Sequence, residues 1–209
     1  MATRMTSSEK RQKILDRSRS LFLKRGVSSL TMEEIASLQG ISKKTLYRYF
    51  PNKEALASAA IEEKIAEVAQ SIAGIAEKKD LSFLERIQQI LHIVSRQIAE
   101  LGEGLIRDLY YNQPDLWARI DRYRQERVFV IIEKLLGEGA RSGFIRPDIN
   151  GRLVPALFVT TISSVLNPEQ FVKLTVPLVE FFEAVVKILF GGILTENARR
   201  QFFRQEDAS

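Results

Sequence analysis

The sequence predicts an all-α protein: an N-terminal three-helix bundle of helix-turn-helix plan, then a larger helical domain. Three observations carry this. Apolar residues recur three and four positions apart along most of the chain, and no stretch sustains the alternation of a strand. Thr31-Met-Glu-Glu34 and Ser82-Phe-Leu-Glu85 are capping boxes, in which hydroxyl and carboxylate satisfy the free amides of a helix start. Gly26, Gly40, Pro51, Gly102, Gly104, Gly143 and Pro168 punctuate the periodic stretches.

The first helix is expected over Ser8 to Lys24, with Ile14, Leu15, Ser18, Leu21 and Phe22 on one face and Gly26 as a left-handed stop. The second starts near Met32 behind Thr31, turns Ile35 and Ala36 inward and ends at Gly40. Ser42 caps a third, Lys43 to Phe50, which Pro51 closes because the residue before proline avoids the helical region. Asn52 caps a fourth that continues to about Ala76. A helix follows Ser82 with Phe83, Ile87, Ile90, Leu91, Val94 and Ile98 at helical spacing, and Gly102 and Gly104 mark a break. Further helices are expected over Leu105 to Asn112, Pro114 to Arg141, Arg152 to Leu166 (stopped by Asn167-Pro168) and Val176 to Ile193. The tail from Arg204 is polar. These patterns divide the chain into a reading domain, 1–53, and a second domain, 54–209.

With no cysteine and one histidine, His92, the chain offers no thiolate site and little basis for metal binding or histidine catalysis; neither a metal nor a cofactor is expected. No nucleophile–base–acid set or phosphate-cradling glycine loop is visible, so an enzyme is not expected. The first ten residues are polar and do not read as a secretion signal. The uncharged run from Leu153 to Pro168 is too short and too polar to cross a bilayer, so a cytoplasmic protein with no membrane partner is expected. Net charge is +5, but residues 1–53 alone carry +8 and the remainder −3. A basic end on an otherwise neutral chain fits phosphate binding; it also fits a solvated, lysine-rich surface.

The third helix sharpens the choice. Leu46 and Phe50, four apart, are placed to pack inward, which leaves Lys43, Lys44, Thr45, Tyr47 and Arg48 outward or sideways. Lysine and arginine meet guanine acceptors or phosphates, threonine a thymine methyl, and tyrosine a sugar or phosphate. The plainer alternative is an exposed helix with lysines for solubility and aromatics for packing.

Thr31-Met-Glu-Glu-Ile-Ala36, Gly40-Ile-Ser42, Thr45-Leu-Tyr47 and Phe50-Pro-Asn-Lys-Glu-Ala-Leu56 together resemble the N-terminal signature of the TetR family of transcriptional regulators. The resemblance covers about Ile14 to Leu56; beyond it the chain is similar in size and helical plan. It implies a sequence-specific DNA-binding regulator, a ligand-released repressor that binds a pseudo-palindromic operator on double-stranded DNA as a homodimer. It implies that Thr31 caps the second helix and touches phosphate, that Lys43, Lys44, Thr45 and Arg48 face bases or nearby phosphates, that Tyr47, Tyr49 and Lys53 hold the backbone, and that Ser42 lies among the DNA contacts. Tyr49 stands where the family most often has histidine, and Leu38-Gln39 replaces the small residue usual before the turn glycine.

The same resemblance implies an effector cavity for a small, lipophilic molecule. Its candidate lining is Phe83, Ile87, Leu91, Leu109, Tyr110, Gln113, Trp117, Ile120, Tyr123, Arg124 and Phe158, though taken one at a time each is better explained by ordinary core packing. It also implies a homodimer through the last two long helices. Leu157, Thr161 and Ser164 on one and Val179, Phe182, Val186 and Phe190 on the other offer a face, which core packing within one chain also explains. An effector-free architectural DNA-binding protein is the alternative.

Overall fold

Polar caps set where the helices begin. In the computed structural model, which describes residues 6–150, 152–165, 167, 169 and 176–206, α1 spans Ser7–Arg25 behind a Thr6/Glu9 capping box. α2 spans Met32–Gln39 behind Thr31/Glu34, and α3 spans Lys43–Tyr49 behind Ser42, whose hydroxyl accepts the Thr45 amide. α4 runs Lys53–Ala76, with the Ala55 amide donating to Asn52 Oδ1 at 2.7 Å. α5 (Phe83–Asn112) carries the expected break at Gly102, where φ is 61° and ψ 146°. α6 (Pro114–Tyr123) leads into a π-helical turn, Arg124–Val128, and then α7 (Phe129–Arg141), so the run expected from Pro114 to Arg141 has a widened turn within it. α8 is Leu153–Val165; Pro168 and Leu166, expected to end it, lie outside the described residues. α9 is Leu178–Ile193 and α10 is Glu196–Glu206. The only bridge of strand type among the described residues pairs Ile145 with Leu194.

The chain divides by packing into two units. One is residues 1–67 together with 101–118; the other is 68–100 together with 119–209. The division expected at 53/54 therefore falls inside the first unit, because α4 stays with it as far as Glu67 and the end of α5 joins it.

In the first unit the buried residues include Ile14, Leu15 and Phe22 of α1, Ile35 and Ala36 of α2, Leu46 of α3, Phe50, and Leu56, Ala57 and Ala60 of α4. Gln39 is buried too. Its side-chain amide donates to Ser18 Oγ at 2.7 Å and to the Ile14 carbonyl at 3.3 Å, so the departure before the turn glycine is absorbed as a tie between α1 and α2. Neighbouring Leu38 is exposed. Gly40 takes the left-handed conformation; Gly26 does not, since its φ of 79° goes with a ψ of 166°.

The second unit has a core of Ile72, Phe83, Ile87, Ile90, Leu135, Leu136, Phe158, Phe182, Val186, Phe190 and Phe202, among others. Phe83 stacks on Phe144 at 5.2 Å and lies against Gly139. A Cβ at Gly139 would come within 2.4 Å of the buried Phe83 ring. Gly139→Ala is therefore expected to destabilise this unit by about 1–3 kcal/mol through overpacking, although alanine is the better helix former. Thermal unfolding measures this; an unchanged or raised melting temperature would contradict the packing.

Candidate nucleic-acid interface

The reading helix is anchored by one residue and presents four. Leu46 is fully buried and Phe50 nearly so, which fixes the face that α3 turns to solvent. Lys43, Lys44, Tyr47 and Arg48 are exposed, while Thr45 is half-buried. The expected outward set is thus present apart from Thr45, whose Oγ1 lies 2.8 Å from Ser42 Oγ in a hydroxyl pair at the helix start.

Each exposed cation has a local setting. Lys43 pairs with Glu33 at the start of α2 and sits 5.6 Å from the centre of the Tyr47 ring. The hydrogen bond to Glu33 raises the Lys43 ammonium above its ordinary range and lowers the Glu33 carboxyl, so both stay charged at neutral pH. Arg48 lies over the Tyr49 ring at 5.0 Å and donates through Nη2 to the Tyr49 oxygen at 3.2 Å. Ser7 Oγ donates to that same oxygen at 3.4 Å, and this bond is the main reason the Tyr49 phenol sits below its ordinary range. Tyr49 thereby braces α3 against the start of α1 and keeps its own hydrogen to donate. Among the described residues α3 itself carries no acidic side chain.

Two residues expected at phosphate do something else first. Thr31 Oγ1 accepts the Glu34 amide and donates to Glu34 Oε2 at 2.9 Å, closing its capping box. Lys53 Nζ donates to the Leu30 carbonyl at 2.8 Å and to the Ser28 carbonyl at 3.5 Å, tying the start of α4 to the turn between α1 and α2. An ammonium has three donors, so the tie leaves Lys53 capacity for a phosphate oxygen.

Glu33 was not anticipated from the sequence, because its partner is ten residues away and on another helix. It is an acid set beside a cationic reading helix. Glu33→Gln is expected to free the Lys43 charge, tighten binding to any duplex and steepen the salt dependence by up to about one phosphate's worth, roughly 0.9 in slope. A salt titration with wild type and variant decides it; identical slopes would show that Lys43 does not meet phosphate.

The candidate effector residues are divided between the units. Leu109, Tyr110, Gln113 and Trp117 belong to the first, with Tyr110 edge-on to Trp117 at 5.7 Å. Phe83, Ile87, Leu91, Ile120, Tyr123, Arg124 and Phe158 belong to the second. Of these Phe83, Ile87 and Phe158 are packed in its core. Arg124, in the π-helical turn, keeps only a small part of its side chain exposed, and its Nη2 lies 3.5 Å from Asp121 Oδ1. Burial pushes its guanidinium below the ordinary range, and Asp121 opposes that.

The residues expected at a dimer face differ in exposure. Phe182, Val186 and Phe190 are buried in the core of their own unit, where Phe182 packs edge-on to Phe158 and Phe190 stacks on Phe202. Val179 and Thr161 are half-buried, and Leu157 and Ser164 are exposed. Among the described residues, the large apolar side chains left open on α8 and α9 are Leu153, Leu157 and Ile188, the last 74% exposed.

A family model described as bacterial regulatory proteins, tetR family, matches residues 14–60, the stretch that holds this interface. The uncharacterized HTH-type transcriptional regulator YvaF of Bacillus subtilis is 33% identical over 168 residues, covering 80% of this chain and 87% of that protein. The HTH-type transcriptional repressor DhaR of a Mycobacterium species is 21% identical over 197 residues, covering 92% and 98%. The solved structure of the transcriptional regulator FadR from Bacillus subtilis in complex with stearoyl-CoA has a TM-score of 0.63 at 22% identity, covering 87% of this chain and 98% of that one.

Proposed function

Since the chain belongs to the tetR family of bacterial regulatory proteins, and so is a DNA-binding transcriptional regulator, we propose that it acts as a homodimeric repressor released from its operator by a lipophilic small molecule. The observation that carries the DNA half is α3: one buried anchor, Leu46, and an open face of Lys44, Tyr47 and Arg48 beside Lys43. Residues 1–53 read DNA; 54–209 carry assembly and effector binding. Lys43, Lys44 and Arg48 meet base edges or adjoining phosphates, Thr45 reaches a methyl or phosphate from its half-buried place, and Tyr47, Tyr49 and Lys53 set the backbone register. Two copies would place their reading helices one helical turn apart, about 34–36 Å, on a pseudo-palindrome.

Dimerisation is supported by the open apolar residues Leu153, Leu157 and Ile188, which a single copy leaves in water. Sedimentation of the full chain is expected to give a dimer at micromolar concentration. Leu157→Glu with Ile188→Lys is expected to give a monomer that binds a single half-site weakly. A wild-type monomer would end this part of the reading.

Effector release is supported by the fold shared with a stearoyl-CoA-bound relative and by Arg124, a buried cation suited to orienting a polar head group. Effector binding shifts DNA affinity only as far as the two states differ in affinity for the ligand, typically ~1–3 kcal/mol. A thermal-shift screen of lipophilic carboxylates and lipophilic cations tests it. Stabilisation that rises with concentration and weakens operator binding supports release; none across the screen favours a regulator without an effector.

A further inference from the structure

The first unit contains one acid in an unusual place. Asp108, near the end of α5, accepts the backbone amides of Val27 and Ser28 through Oδ2 at 2.5 and 2.8 Å, while Asn112 Nδ2 donates to its Oδ1 at 2.9 Å. Burial pushes its carboxyl up, but the bonds from Ser28, Asn112 and Val27 outweigh burial and hold it below the ordinary range. Gly26 belongs to the same arrangement. Its φ of 79° suits glycine, and a Cβ there would stand 3.2 Å from Asp108 Oδ2. From the other side Lys53 donates to the carbonyls of Leu30 and Ser28. The Gly26–Leu30 turn is thus held by an anion on its amides and a cation on its carbonyls, and both grip the Ser28 residue.

That turn delivers the chain to Thr31, the cap of α2, and it holds Lys53 at the start of α4. Val27 and Leu30 within it are buried. The segment that supplies Asp108, residues 101–118, is the only part of the chain beyond Glu67 that belongs to the first unit; it begins beside the Gly102 break. We propose that Asp108 is a positioning residue for DNA binding, a latch that sets the Gly26–Leu30 turn and with it α2 and Lys53, and that the 101–118 segment controls operator affinity by making or breaking this latch. This rests on the DNA-binding reading of α3.

The sign of the effect separates the latch from simple electrostatics. Asp108 is an acid in a basic unit, so removing its charge strengthens binding to any duplex on Coulombic grounds. The latch requires the opposite for the operator. The full chain is compared as wild type, Asp108→Asn and Asn112→Ala, on its selected operator and on a random duplex, across a range of salt. Hydrogen exchange at Val27 and Ser28 is followed by NMR. Asp108→Asn is expected to lose about tenfold or more on the operator, as for a lost charge-assisted hydrogen bond, while affinity for the random duplex holds or rises. Asn112→Ala, which keeps the charge, should shift affinity the same way by about two- to fivefold, the scale of one neutral hydrogen bond. In the wild type both amides should exchange slowly, and in Asp108→Asn fast.

Unchanged or tighter operator binding by Asp108→Asn overturns the proposal, as does an equal loss on both duplexes, which marks a merely structural role. Should Asp108→Asn fail to fold, unaltered operator binding by Asn112→Ala, or wild-type Val27 and Ser28 amides exchanging like an open loop, overturns it instead. If the wild type selects no operator, the DNA-binding reading itself has failed, and that is seen before any variant is made.

Discussion

Leu46→Ala is expected to abolish operator binding. Leu46 is the one buried side chain of a seven-residue helix and is wholly without exposure. Truncating such a residue costs about 2–5 kcal/mol, the lost transfer energy plus a cavity that its neighbours only partly fill. That is a large fraction of the ~5–15 kcal/mol that stabilises a whole domain. A short helix has almost no stability of its own, so α3 depends on this contact and on the Ser42 cap to exist as a helix at all. The expected result is a lowered melting transition for the first unit, a loss of operator affinity exceeding the loss for random duplex, and little change in the core of the second unit. Calorimetry and a binding isotherm measure both parts. A variant that melts lower yet binds the operator normally would show that α3 is not the reading element.

The second large effect belongs to Tyr47. The residue is 41% exposed and its aromatic face lies toward the Lys43 ammonium, so it is held in place while open to a partner. Tyr47→Phe removes only the hydroxyl. A hydrogen bond to a charged phosphate is worth about 1.5–3 kcal/mol, which corresponds to roughly 10- to 100-fold in affinity. The loss should be similar for operator and random duplex, because phosphate carries no sequence information. Tyr47→Ala should cost more, by the ring's contact with sugar. Lys44→Ala, in contrast, should alter which bases are preferred at one position of each half-site. Tyr47→Phe binding as tightly as wild type on both duplexes would remove Tyr47 from the interface.

Most of the fold was legible because its signals are local. Ser42, Asn52, Thr31 and Ser82 begin helices through hydrogen bonds to residues three positions on, and such spacing is visible in a sequence. Leu46 and Phe50 gave the orientation of α3 for the same reason. The Thr6/Glu9 capping box is equally local, and it starts α1 one residue before the expected Ser8. What could not be read is long-range. Asp108 meets Val27 and Ser28 across some eighty residues, and Gly26 is glycine partly on account of that carboxylate. Gln39 meets Ser18 from another helix.

The apolar helices were legible as helices but not as to face. α9 has Phe182, Val186 and Phe190 on one side and Ile188 on another, and periodicity does not say which side the chain itself covers. The π-helical turn at Arg124–Val128 leaves no mark in the pattern of residue types.

The central claim is that α3 reads DNA in a sequence-specific way. Selection of binding sites from random duplexes by the purified full chain tests it most directly. The expected result is an enriched pseudo-palindrome whose half-site centres lie about one helical turn, roughly 10–10.5 base pairs, or a little more apart, with loss of that enrichment in Leu46→Ala. Recovered duplexes with no common sequence, or enrichment that survives Leu46→Ala, would contradict it.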